Sequence, residues 1–119
     1  MRVLQLHCSN FGYNVRKETP VAEMPANPKE EELKDVLVCF ICFEKIDENR
    51  VDDLIDEFTE NIKVDVEQIG CERVLLYPYA HLSKKLGSPK KAKNFLINLE
   101  ERLEDEGVDI HRSPFGWYK

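Results

Sequence analysis

No apolar run in this 119-residue chain approaches the ~20 residues that a bilayer-spanning helix needs, so no membrane partner is expected. There is no internal repeat and no low-complexity tract. The chain also lacks Gly-x-Gly-x-x-Gly, a phosphate-loop lysine and Gly-x-Ser-x-Gly. Nucleoside triphosphate hydrolysis and covalent serine catalysis therefore lack their usual machinery. Cysteine is scarce. Cys39 and Cys42 form one Cys-x-x-Cys, with no second such pair and no histidine pair to complete a zinc site. They lie inside the apolar run Val36 to Phe43, where residues three apart on a strand point to opposite faces. All four cysteines are read as reduced packing residues. His7, His81 and His111 follow no ligand motif, so neither metal nor cofactor is expected.

What is present suits one globular domain over residues 1–119. A hydrophobic content of 42% with 34% charged residues supports a single real core and excludes disorder. The start, Met-Arg-Val-Leu-Gln-Leu-His, enters an alternating strand pattern at once and does not read as a signal peptide, so a cytoplasmic location is expected. A net charge of −6 argues against a broad nucleic-acid surface, though not against one nucleic-acid end gripped at a small site. Charge is segregated as well. Acids dominate from Glu44 to Glu67, whereas Lys84, Lys85, Lys90, Lys91 and Lys93 cluster together.

The first strand is expected at about Val3 to Cys8, with Leu4, Leu6 and Cys8 on one face. A turn at Ser9-Asn10 then returns a second strand through Phe11, Tyr13 and Val15. Thr19 to Lys34, with Pro20, Pro25 and Pro28, reads as a loop. Val36 to Phe43 is apolar throughout and belongs at the centre of a sheet. Val51, Leu54, Ile55, Phe58, Ile62, Val66 and Ile69 recur at helical spacing, with Asn49 as cap and Gly70 as stop. After a strand at Arg73 to Tyr77, Ser88-Pro89 opens a second helix, which buries Ala92, Phe95, Leu96, Leu99 and Leu103 and ends at Gly107. A last strand contains Val108 and Ile110. The fold class is α/β (α+β): a mixed sheet of about five strands with two helices, in the order ββ-β-α-β-α-β.

Two segments stand out as functional. Tyr77-Pro-Tyr-Ala-His-Leu-Ser83 and Ser113-Pro-Phe-Gly-Trp-Tyr-Lys119 each follow an expected strand and break it with proline. Each sets aromatics beside a titratable group, His81 or Lys119, the makings of a pocket wall with a charged handle. The second helix carries Lys90, Lys91 and Lys93 at its start and Glu104, Asp105 and Glu106 at its end, both against the macrodipole. With Lys84 and Lys85, that start suits phosphate. A solvated face is the alternative. A chain that ends as a strand delivers a lysine reads as a piece of something longer.

Met1-Arg-Val-Leu-Gln-Leu-His7, Val36-Leu-Val-Cys-Phe-Ile-Cys-Phe-Glu-Lys45, Tyr77-Pro-Tyr-Ala-His-Leu-Ser83 and Pro114-Phe-Gly-Trp-Tyr-Lys119 together resemble the N-terminal editing domain of archaeal threonyl-tRNA synthetases. That domain is similar in fold to D-aminoacyl-tRNA deacylases. The resemblance covers the whole chain. It implies hydrolysis of serine wrongly attached to threonine tRNA, with the 3′ aminoacyl-adenosine end of the tRNA as ligand. It also implies a homodimer and the remainder of the synthetase, in cis or in trans, as partners. By position, Lys119 matches the family's functional lysine, Tyr118 its neighbour and His81 its pocket histidine. Phe43, Ala80, Pro114 and Phe115 match positions lining the amino-acid and adenosine pocket. In that reading Lys119 holds the attacking water or the substrate, while Tyr118 and His81 orient the substrate or its ribose. Trp117 stands where tyrosine is more usual. Family members continue past the lysine into strands that supply an acidic group, so a C-terminal truncation is expected. Two alternatives stay open: a freestanding D-aminoacyl-tRNA deacylase and a non-catalytic module that binds the tRNA end.

Overall fold

A computed structural model describes all residues, Met1 to Lys119. Its centre is the apolar run singled out in the sequence. That run belongs to strand β3 (Glu30–Cys42), which lies between β1 (Arg2–Asn14), antiparallel to it, and β4 (Arg73–Pro78), parallel to it. The expected loop from Thr19 therefore ends at Lys29 and not at Lys34, because Glu30 to Lys34 pair with β1. Strand β5 (Asp109–Arg112) adds in parallel beyond β4, giving the order β1-β3-β4-β5. Two further short strands, β2 (Lys17–Glu18) and β6 (Trp117–Tyr118), pair with each other as a separate ribbon. The sheet is therefore mixed as expected, but four-stranded with a two-stranded annex.

Helices α1 (Val51–Ile69) and α2 (Pro89–Asp105) are the crossovers that parallel β3, β4 and β5 require. Their apolar stripes, including Leu54, Phe58, Phe95 and Leu99, pack on Leu37, Cys39 and Ile41 of β3. The opposite face holds a smaller cluster of Tyr13, Leu33, Val36, Val38 and Leu75, with Phe11, Phe40 and Tyr77 against it. Gly70 closes α1 in the left-handed region at φ 76°, its N–H donating to Val66 O. Ser88 caps α2 by accepting from the Lys91 N–H at 3.1 Å, and Pro89 takes the first helical position. Asn49 does not cap α1. It ends a 3-10 helix, Lys45–Asn49, and Arg50 occupies the cap position with no side-chain bond.

The expected turn at Ser9-Asn10 is absent. The apolar positions shift there from even (Leu4, Leu6, Cys8) to odd (Phe11, Tyr13), which in an unbroken strand would swap faces. The long β1–β3 pairing absorbs the shift: the Ser9–Asp35 step drops out of the register, and Asp35 sits at φ 49°. Beyond it, Phe11, Tyr13 and Leu33 rejoin the face that carries Cys8, Val36 and Val38. Leu4 and Leu6 share a face as expected but stay 47% and 46% exposed. They lie on the sheet's edge, on the face without helices. The thiols are unpaired; Cys39 lies in the helix-side core, and Cys42 turns away to donate to Ala80 O at 3.7 Å.

Candidate active site

Parallel β3, β4 and β5 end on the same edge of the sheet, and the chain leaving each end builds a wall of one cleft. The first wall follows β4. The Tyr79 N–H donates to Ile41 O at 2.9 Å, which carries the chain outward into a short 3-10 helix, Ala80–Leu82. Ser83 Oγ then donates to the Glu44 carboxylate at 2.6 Å, anchoring that turn to the segment leaving β3. The Tyr77 ring packs edge-on against Phe11 and Tyr13 and tilted against Phe40. Tyr79 lies between Phe40 and His81, with ring centres 5.5 and 5.3 Å away. The floor is Phe43, stacked 5.0 Å from Phe95. Gly87 makes that placement possible, because a Cβ there would come within 2.6 Å of the Phe43 ring.

The second wall is the segment after β5, held by the region that reads as a loop from sequence. Glu23 is its hub. Its carboxylate takes a bidentate bond from Arg112 at 2.6 and 2.9 Å and a third from the Phe115 N–H at 3.1 Å. Its backbone carbonyl accepts from Trp117 Nε1 at 2.8 Å, and its own N–H donates to Phe115 O at 2.8 Å. Arg112 is nearly buried and bonds Glu100 with its remaining Nε. Burial would raise the Glu23 carboxyl, but the bonds from Arg112 and the Phe115 amide outweigh it and hold the group below the usual carboxylate range. Gly116, at φ 78°, lets the two segments close: a Cβ would lie 2.7 Å from Val21 O and 2.8 Å from Ala22 Cα.

These walls deliver Lys119 onto an aromatic shelf. Its Nζ lies 4.6 Å from the centre of the Tyr77 ring. Burial lowers its pKa to about 8; Glu23 pulls the other way and Arg112 adds to the lowering. Such an ammonium is weakly solvated and can surrender its proton near neutral pH. The cleft measures roughly 490 Å³ and is mostly apolar, a volume typical of a small-ligand site.

Of the residues singled out from sequence, Phe43, Ala80, His81, Phe115, Tyr118 and Lys119 all line this cleft. Pro114 is buried and does not line it. None of the five lysines lines it either, although Pro89 and Ala92 bring the first turn of α2 to its rim. Lys84, Lys85, Lys90 and Lys91 are exposed and Lys93 is half-buried. The start of α2 already holds an anion: Glu48 accepts from the Ser88 N–H at 2.8 Å and from Lys91 Nζ at 3.3 Å. At the other end of α2, Glu106 pairs with Lys63 of α1 and with Arg102. Lys119 also borders a second hollow, of roughly 670 Å³, but Glu30, Glu31 and Glu32 line it and would repel an anionic ligand. Sequence reading missed Glu23, Arg112 and Tyr13, which do not touch the cleft but set the positions of residues that do. No local signal marks them, since Glu23 is one acid in a proline-rich stretch.

Comparison with known proteins gives the family. A family model for the archaea-specific editing domain of threonyl-tRNA synthetase matches residues 1–119. The chain is 42% identical over 120 aligned residues to the threonine–tRNA ligase of Methanobrevibacter smithii. It is 40% identical to that of Methanococcoides burtonii and 39% to that of Nitrosopumilus maritimus. Each alignment covers all of this chain but only 18 to 20% of the relative, so the chain spans about a fifth of the length of these ligases. The chain belongs to the archaea-specific editing-domain family of threonyl-tRNA synthetase.

Proposed function

We propose that residues 1–119 act as one proofreading domain that hydrolyses the ester of L-serine misattached to threonine tRNA. The observation that carries this reading is the half-buried Lys119 ammonium on the Tyr77 ring, facing an aromatic cleft that His81 and Tyr118 also line. A terminal adenosine can stack on such rings, and stacking contributes ~1–3 kcal/mol per base. Threonine exceeds serine by one methyl group, which supports only ~1–3 kcal/mol of discrimination in a synthetic pocket. A second pocket that admits serine and excludes threonine supplies the missing fidelity. In the cleft, Lys119 holds the attacking water or the ester carbonyl, and its positive charge stabilises the oxyanion as the C–O bond to the ribose breaks. Tyr118 and His81 orient the aminoacyl group and its ribose by hydrogen bonds. Phe43, Ala80 and Phe115 shape the amino-acid and adenosine pocket.

The acidic surface suits this assignment, because only the tRNA end enters. Lys84, Lys85, Lys90, Lys91 and Lys93 contact tRNA phosphates outside the cleft, and the remainder of the synthetase, located in the cytoplasm, presents the tRNA. No helix is long and apolar enough to cross a membrane. A homodimer is supported by the open outer edge of β1 with exposed Val3, Leu4 and Leu6, since unpaired strand edges invite pairing. Single-turnover hydrolysis of L-seryl-, L-threonyl- and D-aminoacyl-tRNA by the wild type and by Lys119→Met tests the assignment. Selective loss of L-seryl hydrolysis in the variant is expected. Preference for D-aminoacyl esters would reassign the domain, and binding without hydrolysis would make it a recognition module.

A further inference from the structure

At the end of the sheet opposite the cleft, three side chains with different donor atoms meet. His7 is on β1, Asp35 is the left-handed residue of β3, and Cys71 follows the glycine that closes α1. His7 Nε2 lies 2.8 Å from Asp35 Oδ1, and the donor atoms of all three residues lie within 4.8 Å of one another. We propose that His7, Asp35 and Cys71 form a zinc site, with water as the fourth ligand.

The chemistry of the set favours zinc. Imidazole nitrogen, carboxylate oxygen and thiolate sulfur are the donors that zinc takes in four-coordinate sites, whereas calcium and magnesium avoid thiolate. A tetrahedral ion with bonds of ~2.0–2.3 Å holds its ligand atoms about 3.3–3.7 Å apart. The His7–Asp35 pair must open by about half an ångström and the sulfur must draw in. Both movements are accessible, because the His7 and Asp35 side chains are 43% and 66% exposed and can adjust. Cys71, fully buried in the helix-side core, is the fixed anchor. The open outer side leaves room for the water ligand.

The thiol's surroundings point the same way. Cys71 Sγ now donates towards the carbonyls of Asp35 and Arg73, at 3.3 and 3.4 Å. Metal binding replaces that proton: the S–H proton leaves to water, the sulfur electron pair bonds the ion, and His7 binds through its neutral ring. One thiolate and one carboxylate then balance the dication. Cys8 lies beside His7 in sequence but packs with Val36 and Val38 on the other face, so it cannot substitute. The ion would tie the edge strand β1 to the connection between α1 and β4. Its place beside the start of β4, with the cleft at the other end of that strand, makes it structural and independent of the deacylation chemistry.

Titration of the chelator-stripped protein with Co²⁺ tests the site, since cobalt in a zinc site reports its ligands optically. One equivalent should produce a thiolate-to-cobalt charge-transfer band with tetrahedral d–d absorption, both absent in Cys71→Ser and retained in Cys8→Ser. His7→Gln and Asp35→Asn alter exposed side chains and should each weaken binding at least about tenfold. The melting temperature should rise with Zn²⁺ concentration in the wild type, and in His7→Gln only at concentrations at least about tenfold higher. The site is overturned if no thiolate band forms at saturating Co²⁺, or if the band persists in Cys71→Ser. It is equally overturned if both surface variants bind with unchanged affinity, a measurement that stands even if Cys71→Ser fails to fold.

Discussion

Replacing Lys119 by Met should stabilise the domain while removing its hydrolysis. The Lys119 pKa falls from 10.5 to about 8 on folding, through burial first, against Glu23 and with Arg112. At about 1.4 kcal/mol per pH unit, keeping the ammonium charged in the folded state costs at most about 3 kcal/mol near neutrality. The sign follows from proton counts. Between about pH 8 and 10.5 the unfolded chain binds more protons at this residue, so its contribution to stability rises with pH. Methionine keeps most of the apolar stem on Tyr77 and removes the charge. Urea unfolding of both proteins should therefore show the variant ahead by roughly 1–3 kcal/mol at pH 7, with the gap closing towards pH 10.5. All other groups titrate alike in the two chains and cancel. A variant no more stable than wild type at pH 7, or a gap that does not change with pH, would refute the buried-ammonium reading. Loss of hydrolysis alongside a gain in stability is the signature of a group strained for function.

Other perturbations probe the walls and the surface. Glu23→Gln breaks the bidentate bond to nearly buried Arg112 and should cost about 2–4 kcal/mol by denaturant unfolding. Because the Glu23 pKa is depressed, the wild type should lose this contribution as pH falls through the folded value; equal acid sensitivity in wild type and variant would count against it. Gly116→Ala forces a Cβ against the backbone of Val21 and Ala22 at a left-handed position, so a loss of ~2 kcal/mol or more with reduced hydrolysis is expected. An alanine variant of wild-type stability would mean that the two segments are not closed. Changing Lys90, Lys91 and Lys93 to Gln should weaken tRNA binding and flatten its salt dependence by roughly 0.7 of a log unit per lost phosphate contact on a single strand. Measuring affinity at two ionic strengths decides, and an unchanged slope returns these lysines to plain solvation.

Both helices were legible in the sequence because burial of one stripe imposes a period on the chain. Leu54, Phe58 and Ile62 in α1, and Phe95, Leu99 and Leu103 in α2, repeat at the helical interval, and Gly70 and Ser88-Pro89 mark ends through backbone geometry alone. The apolar run from Val36 likewise declared a strand covered on both faces. At Ser9 the same logic misled. A shift of apolar parity has two physical solutions, a turn or an irregular step in a continuing strand, and only the partner strand chooses between them. Here Asp35 supplies the irregular step.

The sequence by itself determined the two helices, the central strand and the two proline-broken aromatic segments with His81 and Lys119, since these depend on neighbours along the chain. Tyr118 entered only through the family resemblance. Tertiary structure decided what those side chains face. Glu23 and Arg112 are 89 residues apart, and only the parallel placement of β5 beside β4 brings the segment after it against the proline-containing loop that precedes β3. The lowered pKa of Lys119 is likewise a property of burial on Tyr77, not of any adjacent residue. His7, Asp35 and Cys71 have no sequence spacing that marks them as ligands, and they meet because paired β1 and β3 pass beside the connection from α1 into β4. Local interactions repeat along a chain and can be read from it; contacts between distant segments depend on how the whole chain closes.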